Sequence, residues 1–252
     1  MLHAMTTPKA AGVTLSGDLD DFNELYDALA ELIGDENEYE LYGAARIRVL
    51  GFMYDLRHAF QGDREVVATA NGMNHEIMKY QGVVTPEKNV TFAFNTVWVE
   101  MIFVVAVLND FILLHTRKIE KANPIGEKML RPKIIYNPAI AYVRHFQAIV
   151  MRALKDTVSE NAYVRLVNAM VHDYTYYGGY ATQFVDQLAI KYIGMDNEKR
   201  LNNLTRFANQ IVNRSGDYRK MMTDLLETAA QYHCSIEDLR LEGSAYPEEI
   251  DW

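Results

Sequence analysis

The chain has 252 residues, of which 49% are hydrophobic and 23% are charged. This composition supports a globular core in one large domain or two small ones, and it excludes a disordered or collagen-like chain. The chain carries 34 acidic and 25 basic side chains, a formal net charge of -9. Because affinity for phosphates comes from clustered lysine and arginine, this balance argues against a non-specific binder of duplex DNA.

Cysteine content and the first residues bear on the cellular compartment. The single cysteine, Cys234, cannot form an intramolecular disulfide, which fits a reducing compartment. The opening residues MLHAMTT show no basic segment followed by an apolar one, so no signal peptide is predicted. We therefore expect a cytoplasmic protein.

The first predicted elements are a strand and a helix. Residues 11–16 have the composition of a short strand, and apolar side chains recur at helical spacing over 22–33. Asp18 or Asp20 can cap the start of this helix, and Gly34 can end it. A second helix and two further strands follow, predicted over 42–60, 65–70 and 89–96.

An apolar run, WVEMIFVVAVLNDFILL, occupies residues 98–114. Its length approaches that of a membrane-spanning helix, but Glu100, Asn109 and Asp110 lie within it, and carboxylates are costly in hydrocarbon. We therefore predict a buried core helix of a soluble protein and no membrane span. With the preceding elements, it forms an α+β module over residues 1–120, in which helices cover a small β-sheet.

The rest of the chain divides into a connector and a helical region. Residues 121–138 lie in a basic, proline-containing stretch and are predicted to be a connector. Residues 139–252 have a mainly α-helical pattern that ends in a short acidic tail. The expected fold class is therefore α+β, with the sheet in the N-terminal part and a mainly α-helical C-terminal part.

Charge is distributed unevenly along the chain. Residues 18–40 hold ten acidic side chains and no lysine or arginine, whereas residues 117–133 are mostly basic where charged. A solvated helix face is the favoured interpretation of the acidic stretch. The alternative is that it faces the basic stretch of a partner or of the same chain, because opposite charges steer association.

Several common catalytic motifs are absent. The chain has no glycine-rich dinucleotide fingerprint, no P-loop, no HExxH zinc motif and no GxSxG nucleophile elbow. The seven histidines are scattered, and no two of them are one helical turn apart. We therefore assign no metal site and no cofactor.

The segment VRLVNAMVHD supplies the first candidate catalytic residues. Arg165, Asn168 and His172 share one face of a helix. Their spacing resembles the Arg-x4-6-His signature of HEPN-type ribonucleases, helical dimers common in bacterial defence and toxin systems. The resemblance implies that His172 moves the proton of a 2′-hydroxyl while Arg165 binds phosphate. The favoured alternative is a solvated Arg165 and a His172 that forms a hydrogen bond near the helix end.

A second candidate cluster combines residues from two predicted helices. Asp55 and His58 are one turn apart, so that a carboxylate could orient an imidazole, with Arg57 between them. If the buried helix lies alongside, Glu100, Asn109 or Asp110 joins this cluster. The functional interpretation is an acid–base or phosphate site, and the favoured alternative is an ion-pair network.

Tyrosines are concentrated around a double glycine. Tyr174, Tyr176, Tyr177 and Tyr180 are candidates for a protein interface, because tyrosine provides contact area and a hydrogen bond at low entropic cost. Stacking on single-stranded nucleic acid is a second use of such residues. Packing between two helices is the favoured alternative.

Several short segments carry a family resemblance. They include GVTLSGD at residues 12–18, RVLG at 48–51, GDRE at 62–65 and LNDF at 108–111. Over about residues 10–115 the chain resembles a family of small bacterial proteins of unassigned activity that is frequent in Firmicutes. The resemblance implies a bacterial origin and transfers no catalytic residue.

Two functions are consistent with these observations. The first, which we favour, is a non-catalytic interaction or assembly protein that binds a protein partner or a second copy of itself, with a dimer as one such assembly. The alternative is a HEPN-like, metal-independent endoribonuclease of a defence or toxin system, with RNA as its substrate and Arg165 and His172 as its catalytic residues.

Overall fold

The computed structural model describes residues 1–121, 132–170, 176–241 and 246–252. Within these ranges a small antiparallel sheet stands at the N-terminal end and the C-terminal part is mainly helical, which confirms the α+β class. Much of the predicted connector, including residues 122–131, lies outside the described residues.

The sheet has four antiparallel strands in the order β1-β2-β4-β3. They are β1 (His3–Thr6), β2 (Gly12–Gly17), β3 (Glu65–Ala70) and β4 (Lys88–Val97). The last three were predicted from alternating or β-branched residues. β1 was not, because a strand of only four residues at the sheet edge produces too little alternation to detect.

The strand β4 is shared between two partners along its length. Its second part, from Phe92 to Val97, pairs with β2, while its first part, from Lys88 to Ala93, pairs with β3. Residues 88–91 therefore pair with β3 alone, and this two-stranded hairpin extends past the end of β2. At its other end β4 continues directly into the next helix, whose first residue, Trp98, donates its backbone N–H to Ala11 O at 3.1 Å.

Ten α-helices lie in the described ranges. They are α1 (Leu19–Ile33), α2 (Gly43–Phe60), α3 (His75–Gln81), α4 (Trp98–Lys121), α5 (Pro132–Ile135), α6 (Pro138–Thr157), α7 (Glu160–Met170), α8 (Gln183–Ile193), α9 (Asn197–Val212) and α10 (Gly216–Tyr232). The short α3 was not predicted. Asn74 caps its start, and Gly82 ends it in a left-handed conformation with φ of 66°.

The start and end of α1 follow from its flanking residues, as predicted. Asp18 Oδ1 accepts the Asp21 backbone N–H at 2.9 Å, and Asp21 Oδ2 accepts the Asp18 N–H at 3.0 Å. This reciprocal pair satisfies two helix-end donors. Gly34 ends the helix with φ of 67°, a conformation that other residues rarely adopt.

The apolar helix α4 lies at the centre of the molecule. It packs against α1 and α2 on the sheet side and against α8 and α9 of the C-terminal part. One contiguous apolar cluster extends from Leu2 to Leu225, so the core crosses the predicted boundary at residue 120. Among the described residues, one helical segment, Trp98–Ile119, is long and apolar enough to cross a membrane. In its most apolar part, 67% is buried within the protein.

The acidic stretch at residues 18–40 meets basic groups of its own chain. Glu38 pairs with Lys118 Nζ at 2.7 Å, and Glu31 Oε1 lies 3.2 Å from His115 Nε2. Both pairs join the start of the chain to the C-terminal half of α4. Since Lys118 is 57% exposed, its pair contributes modestly to stability.

Candidate functional site

The first group of predicted catalytic residues is only partly described by the structure. Arg165 and Asn168 are both exposed on α7. Arg165 Nε donates to the backbone oxygen of Asn161 at 3.2 Å, one turn earlier. His172 lies outside the described residues.

The structure brings only part of the second predicted cluster together: Asp55 lines the same cleft as Glu100, whereas Asn109 and Asp110 lie elsewhere. Asp55 pairs with Arg64 at 2.7 Å and His58 Nδ1 lies 2.8 Å from Asp63 Oδ2, both at the end of α2. Arg57 stacks over the ring of Tyr54 at 5.6 Å. These contacts form the ion-pair arrangement that we considered as the alternative.

Helix direction explains why Asn109 and Asp110 are elsewhere. Asp110 contacts Tyr42, which directly precedes α2. At about 1.5 Å per residue, Asp55 lies about 20 Å further along that helix. Asn109 instead accepts hydrogen bonds from Arg144 and from Gln147, the second at 3.2 Å, and so joins α4 to α6.

Asp110 is a buried connection between three parts of the chain. Its Oδ2 accepts the backbone N–H of Tyr177 at 2.7 Å and the hydroxyl of Tyr42 at 3.1 Å. The residue is 9% exposed, and its burial raises the pKa of the carboxyl, although both hydrogen bonds oppose that change. α4 is thereby fixed to the turn before α2 and to the tyrosine segment.

Of the three described tyrosines proposed for an interface, two are buried and one is exposed. Tyr177 and Tyr180 are 3% and 2% exposed, so they belong to the core, where their rings pack against Phe103. Tyr176 is 48% exposed, and Tyr174 lies outside the described residues. The helix-packing alternative therefore describes Tyr177 and Tyr180.

Sequence reasoning missed a charge cluster that four elements build. Arg48 of α2 pairs with Asp186 of α8 and lies 3.4 Å from Glu100 Oε1 in the first turn of α4. Arg48 Nη2 also donates to Thr182 O at 3.1 Å. The hydroxyl of Tyr246, in the C-terminal segment, donates to the same Glu100 oxygen at 2.6 Å. The one signal in the sequence was a carboxylate at the start of an otherwise apolar helix.

This cluster lines a cleft of about 560 Å³. The side chains of Arg48 and Asp186 are 21% and 22% exposed, and that of Glu100 is 31% exposed. Burial raises the pKa of Glu100, against the opposing effects of the Tyr246 hydrogen bond and the charge of Arg48. Burial alone would lower the pKa of Arg48, but its pairing with Asp186 and the charge of Glu100 outweigh burial and raise it.

The chemistry of the cluster is that of a closed ion-pair network. Arg48 directs its guanidinium to two carboxylates and a carbonyl, and Glu100 accepts from Tyr246, so each charge has a partner. Within the described ranges no group of three or more histidine, cysteine or acidic side chains is arranged to hold a metal ion.

A second feature that stands out is a projecting arm, defined here as residues 65–91. It comprises β3, α3 and the first part of β4. No side chain from Gln61 to Phe92 is buried, and the arm exposes several large apolar side chains. These are Val66 (48%), Val67 (40%), Tyr80 (92%), Val83 (44%), Val84 (100%) and Val90 (44%).

One face of the arm continues the apolar face of the sheet. Val66 lies opposite Phe92 on neighbouring strands, and two residues further along this face comes Phe94. Phe94 packs edge-on against Phe22 of α1 and also contacts Phe52 of α2. The apolar face therefore extends past the helices that cover it, and no strand from the described part of the chain pairs with the outer edge of β3.

Fold and arm together define an α+β protein with an uncovered sheet edge. The chain belongs to the DUF6904 family, described as a domain of unknown function, whose model matches residues 2–252. The match extends well beyond the region, residues 10–115, in which the sequence resembled a family. No curated protein and no solved structure matches the chain.

Replacing Arg48 tests the ion-pair network. Arg48→Met leaves Asp186 and Glu100 in a partly buried cleft without their cation, so the free energy of unfolding at neutral pH should fall by about 2 kcal/mol, below the value for a fully buried pair because the site is partly exposed. Urea denaturation measures the change, and Arg57→Met on the exposed face of the same helix is the control. Equal stability of Arg48→Met and the wild type would contradict the network's role.

Asp110 tests the buried connection. Asp110→Ala should lower the free energy of unfolding by about 1–3 kcal/mol, because the Tyr42 and Tyr177 donors lose their acceptor. Asp110→Asn should keep both hydrogen bonds, since one oxygen accepts both.

The pH dependence of these variants separates charge from hydrogen bonding. The raised pKa of Asp110 means that its contribution to stability is present below about pH 4 and is lost as pH rises through the folded-state pKa. Asp110→Asn has no carboxyl group to titrate and should lack this loss. The free energy of unfolding of the variant, relative to that of the wild type, should therefore increase from acidic to neutral pH. Parallel pH profiles for the two proteins would show that the expectation is wrong.

Proposed function

We propose that the protein is a non-catalytic, intracellular assembly protein of bacterial origin, and that it associates with a second copy of itself along β3. The single observation that carries the proposal is the arm, in which no side chain from Gln61 to Phe92 is buried although several are large and apolar. A two-stranded hairpin without further packing is marginally stable in water. A second surface that covers the arm would bury its apolar side chains and so stabilise the hairpin.

The edge of β3 has no feature that blocks pairing. Soluble proteins protect exposed edges with lysine, proline or a bulge. β3 reads EVVATA, contains none of these residues, and pairs with β4 in continuous register from Glu65 to Ala70. Such an edge accepts another strand through its backbone groups.

The sequence of β3 favours a second copy as that strand. In a two-fold antiparallel pairing centred on Val67, this residue lies opposite the partner's Val67, and Val66 lies opposite the partner's Ala68. Glu65, the only charged side chain of the strand, lies opposite the partner's Thr69. Apolar side chains therefore meet one another and no like charges are opposed.

The base of the arm is fixed to the rest of the molecule. Asp55 pairs with Arg64 and His58 pairs with Asp63, both directly before β3. These contacts orient the arm relative to α2 and so reduce the entropy that association would cost.

A charge exchange at Val67 tests the proposal. Val67→Lys should be monomeric, because two lysines would oppose each other at the two-fold position, and Val67→Glu should be monomeric for the same reason. Mixing the two variants should restore a dimer, because lysine then opposes glutamate. Light scattering coupled to size-exclusion chromatography measures the mass.

The matched control is Val164→Lys, which places the same charge on another exposed valine, in α7. It should leave the dimer intact. A wild-type protein that is monomeric at every concentration measured would overturn the proposal, as would two Val67 variants that dimerise separately.

The HEPN-like ribonuclease is a second candidate function. The observation that favours it is that Arg165 lines a groove together with a second arginine, Arg206, on the neighbouring helix α9. Paired guanidinium groups can bind phosphate and stabilise the charge that develops in phosphodiester cleavage. His172 is proposed as the acid or base.

His172→Ala tests this second function. It should abolish cleavage of single-stranded RNA while leaving the circular dichroism spectrum and the unfolding midpoint unchanged. His145→Ala, which removes an exposed histidine of α6, is the control and should cleave as the wild type does. Absence of cleavage by the wild type, or unchanged cleavage by His172→Ala, would exclude the ribonuclease.

A further inference from the structure

A groove of about 520 Å³ lies between α7 and α9. Except for Ala162, the described side chains that line it can donate hydrogen bonds. They are Arg165 of α7, with Thr205, Arg206, Asn209, Gln210 and Asn213 along α9 and Ser215 just beyond it. No carboxylate is among the described residues that line the groove, although the whole chain carries a net charge of -9.

Both arginines of the groove have donors that no described residue accepts from. Arg165 uses its Nε for the oxygen of Asn161, which leaves its terminal nitrogens without a partner among the described residues. Arg206 is exposed, and within the described ranges it makes no hydrogen bond or ion pair. One carboxylate, Asp217, contacts a lining residue, since Gln210 Nε2 lies 3.5 Å from its Oδ2.

The groove also meets the start of a long helix. Ser215 is the N-cap of α10, a helix of 17 residues, and its side chain accepts the Tyr218 backbone N–H at 3.3 Å. The backbone N–H groups in the first turn of a helix and its dipole favour a negative charge. The helix start adds to the positive character that Arg165 and Arg206 supply, and Asp217 in the same first turn reduces this effect.

We infer that this groove binds the phosphodiester backbone of single-stranded RNA. From Thr205 to Asn213 the lining extends about 12 Å along α9, longer than one phosphate group requires. The two guanidinium groups suit phosphate oxygens, and the amide side chains can both donate to and accept from the 2′-hydroxyl. The described residues that line the groove include no aromatic side chain on which a base could stack, so the contacts that they offer are to the backbone of the strand.

The inference is independent of the β3 dimer and deepens the ribonuclease candidate by naming how RNA would be held. Binding and cleavage can be separated in the same samples. RNA that is bound and recovered intact would exclude the ribonuclease and leave the groove as a binding site. A monomeric but RNA-binding protein would exclude the dimer alone.

Fluorescence anisotropy with a short labelled oligouridine tests the inference. The wild type should bind saturably at low salt, with an affinity that falls as salt rises, because each phosphate contact releases counterions. Arg165→Ala and Arg206→Ala should each weaken binding about tenfold and reduce the slope of log affinity against log salt by about 0.7. The double variant should lose about twice that slope.

Three controls make the outcome decisive. Arg57→Ala removes an exposed arginine of α2, outside the groove, and should bind as the wild type does. Arg165→Lys and Arg206→Lys keep the charge and should keep the salt slope. Unfolding midpoints of all variants should match the wild type, since both arginines of the groove are exposed.

Specific results would overturn the inference. One is the absence of saturable wild-type binding at low salt, and another is a double alanine variant that retains the wild-type affinity and salt slope. A third is competition by inorganic phosphate or uridine monophosphate that is as strong, at equal concentration, as competition by unlabelled oligouridine. That result would mean that the groove binds a single phosphate and not a strand.

Discussion

Burial of α4 is the constraint on which the other elements depend. A helix that is apolar on nearly all sides cannot face water, so it must be surrounded. The sheet with α1 and α2 covers one part of α4, and α8 and α9 cover another. The two halves of the chain therefore share one core, and neither half could expose α4 without a large loss of hydrophobic stabilisation.

Three polar side chains in the apolar part of α4 determine which elements surround it and where. Glu100 fixes the first turn to Arg48 and Tyr246, Asn109 accepts from α6, and Asp110 joins the middle to Tyr42 and the tyrosine segment. Apolar contacts have little directional preference, whereas a buried carboxylate or amide requires specific donors. These three residues thus specify the register of the packing.

Local signals in the sequence were sufficient to predict most helices and strands, but they were not sufficient to predict which side chains meet at the sites. The capping box of α1, the β-branched run of β3 and the apolar run of α4 depend on neighbouring residues, so they could be predicted. The Arg48 cluster could not, because Asp186 and Tyr246 are far from it in sequence and meet it only through α8 and the C-terminal segment. The prediction that Asp55 and Asp110 lie in one cluster was wrong for the opposite reason. Their helices are adjacent, but the two residues make their contacts at opposite ends of α2.

The direct junction between β4 and α4 has a mechanical consequence. Since Val97 ends the strand and Trp98 begins the helix, no flexible linker separates the arm from the most buried helix of the protein. Trp98 is 0% exposed, and its backbone is tied to Ala11. A pull on the tip of the arm is therefore transmitted along one continuous backbone into the core.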